Sequence, residues 1–210
     1  MDTMPPRRTP PDTVTLLGIA VIAAYLAAVA AVPQAPHGRV LYDGLVPQPP
    51  YRWVHPPGGR QGDNEQPKPY STFLPLTAGG SAPAEFATDD LQATITLPAN
   101  IVEPRPGETK VRVTLTPLDP ETLAPPPSGR RFDGNAYRIE VVYDASGTPV
   151  KLRGPVTVVL RYAAHATTIL RFEKTGDNAA WVRLPTTIYT GSQETLAHSD
   201  TLGVFVVSNP

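Results

Sequence analysis

Cysteine is absent from this 210-residue chain. Disulfides, thiolate metal sites, thiol nucleophiles and lipid anchors on cysteine are excluded with it. A folded domain must then hold through buried apolar surface and backbone pairing alone. Excess charge is missing too: 18 basic residues against 19 acidic ones leave a formal net charge of -1, with both signs interspersed. A nucleic-acid surface needs a concentrated basic patch, so no nucleic-acid partner is expected. Gly58-Gly59 and Gly79-Gly80 stand alone, outside any phosphate loop or dinucleotide fingerprint. The four histidines, His37, His55, His165 and His198, lack the spacing and Cys partners of common zinc motifs. His165 falls in a loop, Ala163–Thr167, and His198 in another beside Ser199 and Asp200, without a Gly-x-Ser-x-Gly elbow. No cofactor, metal or catalytic residue is expected.

Long apolar runs are equally rare, and the single one organises the chain. Thr13–Val32, TVTLLGIAVIAAYLAAVAAV, holds 20 residues without a charge. About 20 apolar residues in helix cross the ~30 Å hydrocarbon layer of a bilayer, with every backbone hydrogen bond satisfied internally. The run is read as a transmembrane signal anchor, with the lipid bilayer as its partner. A cleaved signal peptide is the alternative, but its apolar region usually runs only about 7–15 residues. Arg7 and Arg8 precede the run, while Arg39 and Asp43 follow it. The positive-inside bias then puts residues 1–12, a Pro-rich tail read as disordered, in the cytoplasm and the rest outside the cell.

Residues 33–76 read as a Pro-rich stalk. Prolines withhold amide donors and favour extended geometry, so a wholly extended stalk reaches ~130 Å at ~3.1 Å per residue. One part is not generic spacer: YDGLVPQPPYRWVHPP places Tyr42, Tyr51 and Trp53 among prolines. Large rings in such a segment either dock on the folded domain or the lipid interface, or meet a partner with an aromatic-lined groove. These three are the partner-binding candidates. Gly58–Lys68 reads as a flexible break.

From about Thr77 the pattern becomes short alternating segments separated by turn residues. Leu91, Ala93, Ile95 and Leu97 alternate with polar residues, as do Val111–Leu115, Tyr137–Tyr143 and Val156–Tyr162. Further segments run Thr168–Lys174, Ala180–Leu184, Thr186–Thr190 and Leu202–Ser208. Period-two alternation buries one face of each strand and wets the other. The expected fold of residues 77–210 is an all-β, antiparallel β-sandwich of seven or eight short strands. Trp181 is expected to pack into or cap its core. Asp89-Asp90 and Asp177-Asn178 read as turn residues rather than calcium ligands, and Arg130-Arg131 as a solvated loop tip.

The runs LQATITLPANI, GNAYRIEVVYDASGTPVKLRGPVTVVLRY, ILRFEKTGDNAAWVRLP and TLGVFVV resemble the ZU-five-type β-sandwich. That domain is shared by netrin receptors, ankyrins and tight-junction scaffolds. The resemblance spans Thr88 to Val207 and rests on Leu97-Pro98-Ala99, Pro155 opening the strand Val156–Tyr162, and Trp181 in a late strand. It implies a non-enzymatic interaction fold and brings no site residues. Where relatives often carry Gly after the first strand's Pro, this chain has Ala99 and Asn100, and Asn tolerates a left-handed backbone. No death domain follows, so the relatives' intracellular scaffolding role is not expected. The sequence points to a single-pass, membrane-anchored cell-surface interaction or structural module without catalysis. Another cell-envelope protein or polymer is the candidate ligand. The alternative is a cell-envelope enzyme or accessory binding a polymer at the sandwich loops.

Overall fold

Alternation turns into strand wherever one face can be buried. A computed structural model describes residues 49–210 of the chain. In order they form β1 (Tyr70–Thr77), β2 (Gly80–Ser81), β3 (Ala84–Ala87), β4 (Ala93–Leu97), β5 (Lys110–Leu118), β6 (Arg131–Phe132) and β7 (Ala136–Tyr143). There follow β8 (Val156–Arg161), β9 (Thr168–Thr175), β10 (Asn178–Arg183), β11 (Thr186–Tyr189), β12 (Glu194–Ser199) and β13 (Gly203–Asn209). One 3-10 turn, Pro120–Thr122, interrupts them.

Two antiparallel sheets result. The larger runs β10-β9-β13-β7-β5-β1-β2, with β6 alongside β13, and the smaller runs β11-β12-β8-β4-β3. Val111, Val113 and Leu115 of β5, Ile139 and Val141 of β7, and Phe205 and Val207 of β13 face Ile95, Leu97, Val156, Val158 and Leu160 across the interior. Each of these side chains, taken fully from water, contributes about 1.5–3 kcal/mol. The chain passes between sheets at Leu184-Pro185, which join β10 of one sheet to β11 of the other. Proline suits that corner because it removes a ladder donor where pairing must stop.

A second, smaller cluster lies on the opposite side of the larger sheet. Ala136, Leu170, Trp181, Val204 and Val206 are buried there beneath Leu118, Leu123, Ala124, Phe132 and Phe172. Trp181 is 9% exposed. Its ring packs against Phe132 and Phe172 at centroid distances of 5.2 and 5.1 Å, and its indole N–H donates to the Ala124 carbonyl at 3.1 Å. It therefore caps a second cluster rather than entering the space between the sheets.

Other expectations are corrected. There are 13 strands among the described residues, against the seven or eight expected. The sandwich also begins before residue 77: β1 pairs with β5 from Tyr70↔Leu115 to Pro75↔Lys110. A chain begun at Thr77 would lose that strand. The Leu76 N–H donates to Thr109, so the nitrogen of Pro75, one residue earlier, faces away from β5 and withholds no needed donor. Leu91 is not part of the alternation; it is 61% exposed at φ 56. His198 lies within β12 rather than in a loop, with Nδ1 3.1 Å from Thr157 Oγ1. Arg130 is no free loop tip, because Nη1 donates to Thr167 Oγ1 and Ser208 Oγ. The described residues hold no helix long and apolar enough to cross a membrane. Thr13–Val32 and Tyr42 lie outside them.

Candidate functional site

Asn135 is where the stalk meets the sandwich. It lies between β6 and β7, behind Gly134, whose φ of +107 is a backbone angle that side chains rarely adopt. A Cβ on residue 134 would also collide with the Tyr51 hydroxyl. Glycine therefore lets the segment Pro49–Val54 come close, and Asn135, only 4% exposed, fastens it. The Asn135 backbone N–H donates to Tyr51 Oη at 2.9 Å, and Oδ1 accepts from the Val54 N–H at 2.8 Å. Its Nδ2 donates to the Arg52 carbonyl at 2.7 Å and to Gln92 Oε1 at 3.2 Å. Main chain, carbonyl and amino group of one residue are all engaged, so the side chain is fixed rather than swivelling.

A second fastening comes from the smaller sheet. Arg161, at the end of β8, donates from Nη2 to the Pro49 carbonyl at 2.6 Å. Its guanidinium carbon lies 5.9 Å from the Tyr51 ring centroid. The Tyr51 and Trp53 rings meet at 4.8 Å. Reciprocal bonds close the following loop: the Trp53 N–H donates to Asn64 Oδ1 at 2.8 Å, and Asn64 Nδ2 donates to the Trp53 carbonyl at 2.9 Å. Arg52 pairs with Glu65 at 2.6 Å.

Beneath the docked segment, polar side chains from distant parts of the chain converge. The Tyr137 hydroxyl donates to Gln92 Oε1 at 2.7 Å. Asp90 Oδ1 accepts from Thr88 Oγ1 at 2.6 Å and from the Gln92 N–H at 3.1 Å, which makes Asp90 a turn residue in fact. Asp133 Oδ2 takes three amides at 3.0 Å, those of Ala163, Ala164 and His165. Asp90 Oδ2, Gln92 Nε2, Arg161 Nε and Trp53 Nε1 are buried without a hydrogen-bond partner, a costly state for a polar group. Burial pushes the Tyr51 phenol far above its ordinary value; the Asn135 N–H opposes that, while the Asp133 and Asp90 carboxylates add to it. The Tyr137 phenol is raised in the same way, first by burial and then by Tyr51 and Asp90.

Of the concavities among the described residues, one adjoins this region and a larger one lies apart from it. One of about 200 Å³ runs beside Trp53, between His55, Asp119, Phe132 and Gly134. The other, about 620 Å³, opens where β13 leaves β7 beyond Gly203↔Ile139 and the segment after Pro149 takes its place along β7. Its walls combine Val142, Val150 and Leu202 with Arg138, Glu140 and Asp200.

Of the three aromatic candidates, the structure brings Tyr51 and Trp53 together on the sandwich, where Tyr51 is a fastening rather than a free ligand. The Ser-His-Asp neighbours do not form a relay: His198 meets Thr157, while Ser199 accepts from Arg171 Nη1 and donates to the Thr201 carbonyl. Sequence reasoning missed Asn135, Gln92, Gly134 and Arg161. Gln92 and Arg161 carried a signal, as polar residues adjoining the buried ends of β4 and β8. No protein-family model matches the chain, and no curated protein matches it.

Proposed function

We propose that the chain is a single-pass, membrane-anchored interaction or structural module of the cell surface, without catalysis, with its N-terminus in the cytoplasm and its β-sandwich outside. The uncharged run Thr13–Val32 behind Arg7 and Arg8 supports the anchor and its orientation. The observation that carries the reading is the docking of Pro49–Val54 through Asn135 and Arg161. A passive tether needs no such fastening, whereas a module that presents one surface to the outside gains from a fixed attitude to its stalk. The resemblance to the ZU-five-type sandwich, an interaction fold, points the same way. The cleft beside β7 favours the alternative, a cell-envelope enzyme or accessory that holds a polymer near the Asp200–Leu202 loop.

The absence of native thiols makes topology directly measurable. Gly62 is exposed and has open space where a Cβ would stand, so Gly62→Cys places one thiol on the stalk side of the sandwich. A membrane-impermeant maleimide should label it on intact cells. Labelling that needs cell lysis would overturn the proposed orientation.

A further inference from the structure

We infer that the free edge of β10 pairs with the same strand of a second copy of this chain, antiparallel and centred on Ala180. Sheet edges expose unpaired backbone groups, and proteins usually blunt them by shortness, proline or charge. The other edges are shorter or interrupted: β2 and β6 hold two residues each, the part of β1 that β2 leaves uncovered carries Pro75, β3 follows Pro83 and carries Glu85, and β11 follows Pro185. β10 has six residues, Asn178-Ala-Ala-Trp-Val-Arg183, with no proline and no charge before its last position. Every side chain in it except Trp181 is exposed.

The direction of its backbone follows from the neighbouring strand. β9 and β10 pair from Asn178↔Thr175 to Arg183↔Leu170, and the Leu184 N–H donates to the Ile169 carbonyl. Residues 178, 180, 182 and 184 thus turn their backbone groups towards β9, and Ala179, Trp181 and Arg183 turn theirs outward. Among the described residues no backbone bond reaches that outward edge.

A two-fold axis through Ala180 uses every outward group. Ala179 of one copy then bonds with Trp181 of the other, twice by symmetry, as a closed pair requires. The same register sets Asp177, in the β9–β10 turn, opposite Arg183 of the other copy, again twice. Opposite charges directly across an antiparallel pair favour it. Centring on Trp181 instead would place Asp177 opposite Pro185, which has no N–H to give. Val182 of β10 is one of the five exposed large apolar side chains among the described residues, so the pairing brings apolar surface beside the partner strand as well.

The test uses the cysteine-free full chain in mild detergent. Directly opposed residues of a non-hydrogen-bonded antiparallel pair have Cα atoms about 4.5 Å apart, within disulfide reach. Ala180→Cys, oxidised with copper phenanthroline, should convert most of the chain to a covalent dimer. Val182→Cys, which the register sets opposite Asn178, and Gly191→Cys, in the β11–β12 turn of the smaller sheet, should stay monomeric. Arg183→Asp added to Ala180→Cys should abolish the dimer, and Asp177→Arg added to both should restore it. Monomer from Ala180→Cys, or dimer formed equally by Gly191→Cys, overturns the inference. Dimer that ignores the charge swap overturns the register.

Discussion

Replacing Tyr51 by alanine removes three things at once: a ring packed against Trp53, a cover over Gly134, and the acceptor of the Asn135 N–H. A buried aromatic truncated to alanine costs about 3–5 kcal/mol, and the half-buried setting of Tyr51 places it at the lower end, about 3 kcal/mol. In a domain of this size, 1 kcal/mol moves Tm by about 2–4 °C. The expected fall is therefore roughly 6–12 °C by thermal denaturation of the full chain followed by circular dichroism. Tyr51→Phe keeps the ring and strands the Asn135 amide, which costs about 1–3 kcal/mol. Because the docked segment can come away while the sandwich stays folded, the loss has a ceiling at the docking free energy. Tyr51→Ala combined with Arg161→Ala should thus fall short of the sum of the two. Gly134→Ala makes the complementary case: alone it collides with Tyr51, and on a Tyr51→Ala background it should cost less, leaving only the penalty of its backbone angle. Hydrogen exchange at the Val54 and Asn135 amides should quicken in step. An unchanged Tm for Tyr51→Ala, with those amides already exchanging freely in the parent chain, would refute the docking.

Alkaline pH probes the same place. Tyr51 and Tyr137 are raised above their ordinary value by burial, so the folded state holds their protons more tightly than the unfolded one. That contribution is complete below pH ~10 and falls away as pH rises further; denaturation midpoints should drop there while tyrosinate absorbance lags behind that of the unfolded chain. Tyrosinate appearing for every tyrosine around pH 10, with no loss of structure, would contradict the buried phenols. Trp181→Ala should cost about 3–5 kcal/mol, and Trp181→Phe less, because the Phe keeps its contacts with Phe132 and Phe172 but leaves the Ala124 carbonyl unpaired. Equal melts for parent and Trp181→Ala would mean the outer cluster adds nothing.

The strands that were legible are those whose hydropathy and burial agree. Ala136–Tyr143 alternates almost perfectly, with Tyr137, Ile139, Val141 and Tyr143 inside, and Val156–Arg161 does nearly as well. β12 was invisible because its alternation is inverted. Thr195, Ala197 and Ser199 are its buried side, and Thr195 is satisfied by donating to the Leu160 carbonyl. β1 was hidden by Pro75, which reads as a break unless its nitrogen is known to face the edge. At the site, Tyr51 and Trp53 stood out as large rings among prolines. Asn135 did not, because an Asn after Gly is also what an ordinary turn would carry, and its four partners lie between 43 and 84 residues away in sequence.

The docked segment also decides what a pull on the chain from its N-terminal side would meet first. Loaded directly at Tyr70, β1 would peel from β5 one hydrogen bond at a time, the weakest way to stress a sheet. Pro49–Val54 stands ahead of it and is fixed both to the larger sheet at Asn135 and to the smaller one at Arg161, so tension is shared between the two layers before any strand feels it. The 15 residues from His55 to Pro69 follow that clasp, tied back to it through Asn64 and Glu65. Only when it gives way would they run out, to a span of at most ~50 Å at ~3.3 Å per residue, and the sandwich would still be whole at the end of that length.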